Sequence, residues 1–419
     1  MAASGMLQCA TMPNRSSTHR AMSLPEPDPA AREHSARLAA LIRGQVVAAG
    51  GALPFWRYME LALYAPGLGY YSAGAHKFGA AGDFVTAPEL GGLFARCVAE
   101  ATAPVLRAVG PDAVFFELGG GSGAFAEHAL LRLAALDALP ARYAILEPSA
   151  DLRERQRERL MAALPAELFA RVAWLDGPPQ LAWQGVLFAN EVLDALPVSR
   201  FVMRDGEVLE ECVALDVLRQ AQDDRFAFVR AERPADMLLS GALRHVERGL
   251  EDCLPEAYRS ELLPQLPYWI DAIAGTMERG ALLFIDYGYP RHAFYAPERN
   301  DGTLICHYRH RAHNDPYLWP GLQDITASVD FTALAEAGTR IGFELAGYCA
   351  QAQFLIGNGL AEALEAAQTL PDIERLRIVQ EAKRLTLPGD MGERFQAMGF
   401  QRGVDFESAF ALGDLSGRL

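Results

Sequence analysis

Two hydrophobic rhythms alternate along this chain. Apolar residues three and four apart predict helices, and short runs rich in β-branched and aromatic residues predict strands. In residues 34–49, Leu38, Leu41, Ile42 and Val46 fall on one helical face, and Gly50-Gly51 ends the run. Residues 54–64 predict a second helix. Residues 90–109 predict a third, with Thr86 or Pro88 at its start and Glu89 in its first turn. Regular alternation follows. Residues 114–116, 141–147, 171–175 and 184–189 predict strands, and 124–136 and 150–164 predict helices. The run 184–189 is apolar throughout most of its length, which suits a strand covered on both faces. Residues 280–289 predict a fifth strand. Residues 332–339 predict a helix capped by Asp330, and 343–350 and 353–356 predict the last two strands. Strands alternating with helices predict an α/β fold with a Rossmann-like open sheet.

Two stretches break the alternation. Residues 200–203 and 208–214 predict a hairpin about Asp205-Gly206. Residues 215–275 are charged and read as an inserted helical lid. The expected division is a disordered tail (1–33), an N-terminal helical cap (34–95), a core in two parts (96–214 and 276–357) flanking the lid, and a C-terminal helical segment packed on the core (358–419).

The chain has 419 residues, 51% hydrophobic and 22% charged, enough for a large core in two or three lobes. A net charge of −15 argues against nonspecific nucleic-acid binding, which needs a basic surface. The six cysteines form no CxxC pair, so a cysteine-built zinc site is not expected and reduced thiols are. No apolar run approaches the roughly 20 residues of a membrane span. A cytoplasmic location is the expectation. Residues 1–22 carry Arg15 and Arg20 and no acid, a composition that overlaps a mitochondrial presequence, although Pro13 interrupts it. A matrix location follows if the tail is one.

Candidate chemistry gathers at strand ends. Glu117-Leu118-Gly119-Gly120-Gly121-Ser122-Gly123 joins a strand to a helix, where backbone N–H groups approach a ligand closely. Gly119, Gly121 and Ala124 satisfy a permissive dinucleotide pattern. Gly119, Gly121 and Gly123, with Glu117 two residues ahead, satisfy the first motif of S-adenosylmethionine-dependent methyltransferases. Glu147 ends the second strand, 24 residues past Gly123, where an acid holds ribose hydroxyls. Asp176 ends the third. Asn190, Glu191 and Asp194 end the fourth, and one helical turn would place both acids on one face. Asp286 ends the fifth. Asp83 and Glu89 share one long loop in the cap. His307, His310 and His313 alternate with arginines that oppose a metal, so this segment reads as a loop over the site.

Several segments resemble the MidA-like family of methyltransferases. They are Pro66-Gly67-Leu68-Gly69-Tyr70-Tyr71, the loop from Gly82 through Glu89, the glycine stretch, Asn190-Glu191-Val192-Leu193-Asp194-Ala195-Leu196-Pro197, Asp286-Tyr287-Gly288-Tyr289, Tyr308-Arg309-His310-Arg311-Ala312-His313 and Gly321-Leu322-Gln323-Asp324-Ile325-Thr326. They cover residues 50–350 in family order; Gly120 stands where members often carry proline. The resemblance implies a class I methyltransferase sheet of seven strands and S-adenosylmethionine as cofactor. It also implies a protein substrate, since the family's mitochondrial members are arginine methyltransferases that assist assembly of respiratory complex I. On that view Glu117, Gly119, Gly121, Gly123, Glu147, Asp176 and Asn190 hold the cofactor. Glu191, Asp194 and Asn190, with Asp83 and Glu89 closing from the cap, handle the acceptor. A homodimer is compatible with the aromatic-rich insert and tail. An NAD-binding oxidoreductase and a non-catalytic assembly factor are the rival readings.

Overall fold

A computed structural model describes residues 24–73, 86–216 and 228–419. Asp83 and residues 1–23, with the presequence question, lie outside the described residues, whereas 29–33 of the expected disordered tail are helical. The first helix, Pro29–Ala48, starts before the apolar spacing does. Asp28 accepts the Ala31 amide at 2.9 Å and proline occupies the first turn, and both favour an early start. Strand β1 (Leu53–Pro54) and the helix Phe55–Tyr64 follow. The helix Leu93–Val109 leads into β2 (Val114–Leu118), β3 (Arg142–Leu146), β4 (Val172–Leu175) and β5 (Trp183–Asn190). Then come β6 (Ser199–Arg204), β7 (Glu207–Leu215), β8 (Phe228–Pro234) and β9 (Arg259–Leu262). The long β10 (Met277–Tyr289) precedes β11 (Ile305–Tyr308), β12 (Arg311–His313), β13 (Asp324–Thr326), β14 (Val329–Asp330), β15 (Glu344–Ala350) and β16 (Phe395–Arg402).

The main sheet runs β15-β16-β10-β5-β2-β3-β4. Its β10, β5, β2, β3 and β4 are mutually parallel, and β16 is antiparallel to both neighbours. Period-two alternation decides which face each side chain covers. Val186 and Phe188 of β5 enter one apolar core with the helices Leu93–Val109 and Ala124–Ala135. Leu187 and Ala189 enter another with the helices Leu266–Ala274 and Phe331–Arg340. This double burial explains the apolar run in β5.

Three expectations need correction. The sheet has eight strands rather than seven, because the two-residue β14 pairs with Gly288 and Tyr289 at the far end of β10. Residues 353–356 are not a strand: the helix Gln351–Leu355 takes most of them, and β16 comes from the C-terminal segment, for which no strand was expected. Its sequence, with Gln396, Gly399 and Gln401, is a weak local strand former. Pairing with β10 and β15 on its two edges fixes it there. Residues 215–275 hold the helices Met237–Glu247 and Leu266–Ala274 but are not helical throughout. They supply β8 and β9 to a second sheet, ordered β1-β7-β6-β9 with β8 on β7. Residues 199–215, assigned to the core by sequence, belong to that sheet as well.

The helices Pro29–Ala48 and Phe55–Tyr64, the second sheet and the small sheet β12-β11-β13 share one core. Leu38, Ile42 and Phe55 meet Val213, Cys306 and Ile325 there. Arg200 lies buried beside it, donating to Glu261 at 3.1 Å, Glu211 at 3.0 Å and the Asp301 carbonyl at 2.9 Å. Glu261 in turn accepts the Thr303 amide at 2.7 Å. This network ties the second sheet to the loop that borders the cavity described next.

Candidate functional site

The carboxyl ends of β2, β3, β5 and β10 open onto a cavity of about 770 Å³, within the range of small-molecule sites. Its two ends differ in chemistry. At one end lies the glycine turn. Gly119 has φ +66°, and a Cβ there would stand 3.0 Å from Val192 Cγ2. A Cβ at Gly120 would stand 2.9 Å from Ile145 Cγ2, so side chains here would collide with the turn's own supports. Gly123 stands behind the wall as the left-handed N-cap of the helix Ala124–Ala135.

Sequence reading overlooked the brace of this turn. Gln156 is fully buried; its Nε2 donates to the Gly121 carbonyl at 2.9 Å and to Glu147 Oε2 at 3.2 Å, and its Oε1 accepts from Trp174 at 2.8 Å. The signal was present: Leu152, Gln156 and Leu160 are the buried residues of one helix, four apart, with a polar residue in the middle. Glu147 also accepts the Ser149 amide at 3.0 Å and lines the cavity. Glu117 lines it too, held by the Tyr143 hydroxyl at 2.7 Å. Burial pushes the Glu117 carboxyl up to about 8; the Tyr143 bond opposes this and the charge of Glu147 adds to it.

The other end is acidic. Glu191 and Asp194 both line it, but not on a helical turn as their spacing predicts. The segment is an irregular turn in which Glu191 itself has φ +53°. Asp286 makes that turn possible. Its Oδ2 accepts the amides of Leu193 at 3.0 Å and Asp194 at 3.2 Å, and its Oδ1 accepts its neighbour Tyr287 at 2.8 Å. Burial raises Glu191 to about 8, with the charge of Asp194 adding and the bonds from Asn190 and the Ala87 backbone opposing. Burial raises Asp194 to about 6, opposed by the Tyr287 hydroxyl and nearby amides. Burial also raises Asp286, reinforced by Asp194 and Glu191. Among the described residues, no lysine or arginine is among the groups acting on these three carboxyls. The buried atoms Asn190 Oδ1 and Asp194 Oδ1 have no partner among the described residues. An acidic recess with unpartnered acceptors suits a cation that donates hydrogen bonds.

The cap contributes through residues the sequence marked only as packing. The Tyr71 hydroxyl donates to Asp324 Oδ1 at 2.9 Å, and Tyr64 donates to the Ala195 carbonyl at 2.9 Å. Glu89 accepts from Ser122 and so links the cap to the glycine turn, whereas sequence reading set it beside the acceptor. Asp176 is not brought to the cavity. Its side chain is 92% exposed and pairs with Arg153 at 2.8 Å, because β4 ends at the sheet edge. The three histidines do not converge. His307 and His313 sit on opposite faces of the hairpin β11–β12, and His310 is at its tip. Only His307 lines the cavity.

Residues 97–349 match the model of a family described as "Putative S-adenosyl-L-methionine-dependent methyltransferase". The chain belongs to this family. Its cofactor is S-adenosylmethionine, and the MidA-like resemblance holds. The chain is 42% identical to a Burkholderia thailandensis protein described as a "likely methyl transferase" and solved bound to S-adenosyl-homocysteine. That match covers 95% of this chain and 100% of the other with a TM-score of 0.85. It is 29% identical to the Drosophila melanogaster protein arginine methyltransferase NDUFAF7 homolog, mitochondrial, over 91% of this chain and 88% of the relative. The human protein arginine methyltransferase NDUFAF7, mitochondrial, is 28% identical over 82% and 79%. The cradle fits the family's cofactor: side-chain-free glycines at one end, a buried carboxylate at the end of β3, and the orphaned Asn190 oxygen between the two ends.

Proposed function

We propose that this methyltransferase modifies an arginine side chain of a protein. The observation that carries the reading is the cluster of Glu191, Asp194 and Asp324 at the far end of the cofactor cavity, with no arginine or lysine of the described residues set against Glu191 and Asp194. Relatives between 26% and 29% identical that bear the name protein arginine methyltransferase support it. On this reading Glu147 accepts both ribose hydroxyls, Glu117 and the Gly119–Gly121 backbone hold the amino-acid end, and Asn190 stands between cofactor and acceptor. When bound, S-adenosylmethionine supplies a methyl group on a positively charged sulfur. The protein's share is positioning. Glu191 and Asp194 grip the guanidinium through paired hydrogen bonds, fix its plane and aim one nitrogen along the line of transfer. The proton that Glu191 holds near neutrality leaves as the guanidinium arrives. The mitochondrial location in the relatives' names extends to this chain only if its tail directs import.

The test uses tritiated S-adenosylmethionine with total cell protein, hydrolysing the labelled product to amino acids. Label in methylarginine is the expected outcome. Glu191→Gln should abolish transfer and leave S-adenosylhomocysteine affinity within about twofold. If cofactor affinity falls instead, Glu191 does not act on the acceptor.

A further inference from the structure

One face of the small sheet β12-β11-β13 forms part of the cavity wall. In the antiparallel pair β11–β13, Ile305 stands opposite Thr326 and His307 opposite Asp324. All four line the cavity, while the intervening Cys306 and Ile325 are buried in the apolar core on the other face. Directly opposed residues share a face with Cβ atoms roughly 5 Å apart. The His307 ring and the Asp324 carboxyl are therefore neighbours at the acidic end. Asp324 is buried and held by the Tyr71 hydroxyl at 2.9 Å. The segments that flank β11 and β13 are tied together: the Ser328 amide donates to Thr303 Oγ1 at 3.0 Å, and Thr303 is bound to Glu261 of the buried Arg200 network.

A nitrogen that gains a methyl group here must shed a proton. A protonated guanidinium enters with one positive charge and leaves, methylated, with the same charge. One N–H bond must break as the N–C bond forms. Glu191 and Asp194 are occupied in gripping the guanidinium under the reading above, on which this inference rests. We propose that His307, oriented by Asp324, takes that proton. The electron pair of the broken S–C bond stays on sulfur, which becomes a neutral thioether. The acceptor nitrogen forms its new bond and gives its proton to an imidazole nitrogen of His307, and Asp324 balances the imidazolium charge. His307 is only partly buried, so the proton then passes to water. Among the described residues, the charged and titratable groups on the surrounding elements are Asp324, Tyr64, Tyr71, Tyr287, Glu191, Asp194 and Arg299.

The experiment compares His307→Ala and His307→Gln with the unmodified protein, using tritiated S-adenosylmethionine and total cell protein. Transfer should slow about 100-fold in both, the scale of lost acid–base assistance. S-adenosylhomocysteine affinity by calorimetry should stay within about twofold, since the proposal gives His307 a part in proton removal and none in holding the cofactor. Added imidazole should restore rate to His307→Ala and not to His307→Gln, whose side chain fills the space. A rate within about threefold of the unmodified enzyme, or a slow His307→Ala enzyme that imidazole leaves unmoved, overturns the proposal. Should His307→Ala fail to fold, Asp324→Asn gives the second arm: a slowed rate at unchanged cofactor affinity supports it, and an unchanged rate overturns it. The parent reading fails separately. Label recovered on lysine would remove arginine as acceptor and leave the His307 result standing, because that amine also sheds a proton.

Discussion

The two ends of the cavity are built in opposite ways. The cofactor end is local: Glu117, the glycine turn, Glu147 and Gln156 fall within one strand–helix–strand–helix unit, and their contacts span at most 35 residues. The acceptor end is assembled from afar. Tyr71 meets Asp324 across 253 residues, and Asp286 pins Leu193 across 93. A short-range unit needs little loop-closure entropy and reads directly from local pattern. A long-range assembly needs the second sheet, the small sheet and β16 in place first. Damage should therefore behave differently at the two ends: loss of cofactor affinity at one, loss of transfer with cofactor affinity kept at the other.

The largest effect should come from Asp286→Ala. It strips acceptors from three buried amides and releases the Glu191 turn. We expect transfer to fall about 1000-fold, and stability in urea titration to drop about 3 kcal/mol, the cost of leaving buried donors unsatisfied. A variant that transfers at near-normal rate would show that the turn holds itself.

Gly119→Val should come next, acting on the other end. It forces a branched side chain into left-handed backbone and against Val192. S-adenosylhomocysteine affinity should weaken about 100-fold by calorimetry. Gln156→Leu keeps volume but removes the brace. An affinity loss of about 10-fold is expected, equivalent to one lost hydrogen bond to a charged group. If Gln156→Leu slowed transfer without weakening the cofactor, the two ends would not be separable.

Proton linkage acts alike at both ends. Glu117 and Glu191 both rise from an ordinary 4.5 to about 8 on folding. The folded chain therefore keeps protons that the unfolded chain releases. Their stabilising contribution is complete below about pH 4.5 and is lost as pH rises through about 8. The melting temperature of the ligand-free protein should fall from pH 5 to pH 8, and Glu191→Gln should flatten that slope. A slope that Glu191→Gln leaves unchanged would place the titration elsewhere. The smallest effect belongs to Asp176→Ala, which removes one exposed ion pair. Cofactor affinity should move less than twofold and stability by about 0.5 kcal/mol or less.

Much of the cofactor end was legible in the sequence. Glycines without side chains, a buried acid after a β-branched strand and a helix in the next segment leave few alternatives at short range. The acids at strand ends were legible as positions, since parallel strands deliver their carboxyl ends to one crevice. Their roles were less so. Asp176 satisfies the same rule as Glu147, but its strand lies at the sheet edge and solvent takes it. Glu191 and Asp194 reached the site by a different local geometry from the one their spacing predicts, because Asp286, on another strand, outbids helix formation for the amides of Leu193 and Asp194. Tyr71 looked like packing until Asp324 arrived opposite it.

By itself, then, the sequence determined the alternating core, the glycine turn with Glu117 and Glu147, and the concentration of carboxylates after β5. Each of these depends on side-chain periodicity or backbone freedom within a few tens of residues. Tertiary structure alone decided that β16 enters the main sheet beside β10, that residues 199–262 contribute strands to a second sheet, and that His307 and Asp324 face one cavity. Strand pairing and burial across hundreds of residues set those outcomes, and neither leaves a local trace strong enough to outweigh propensity.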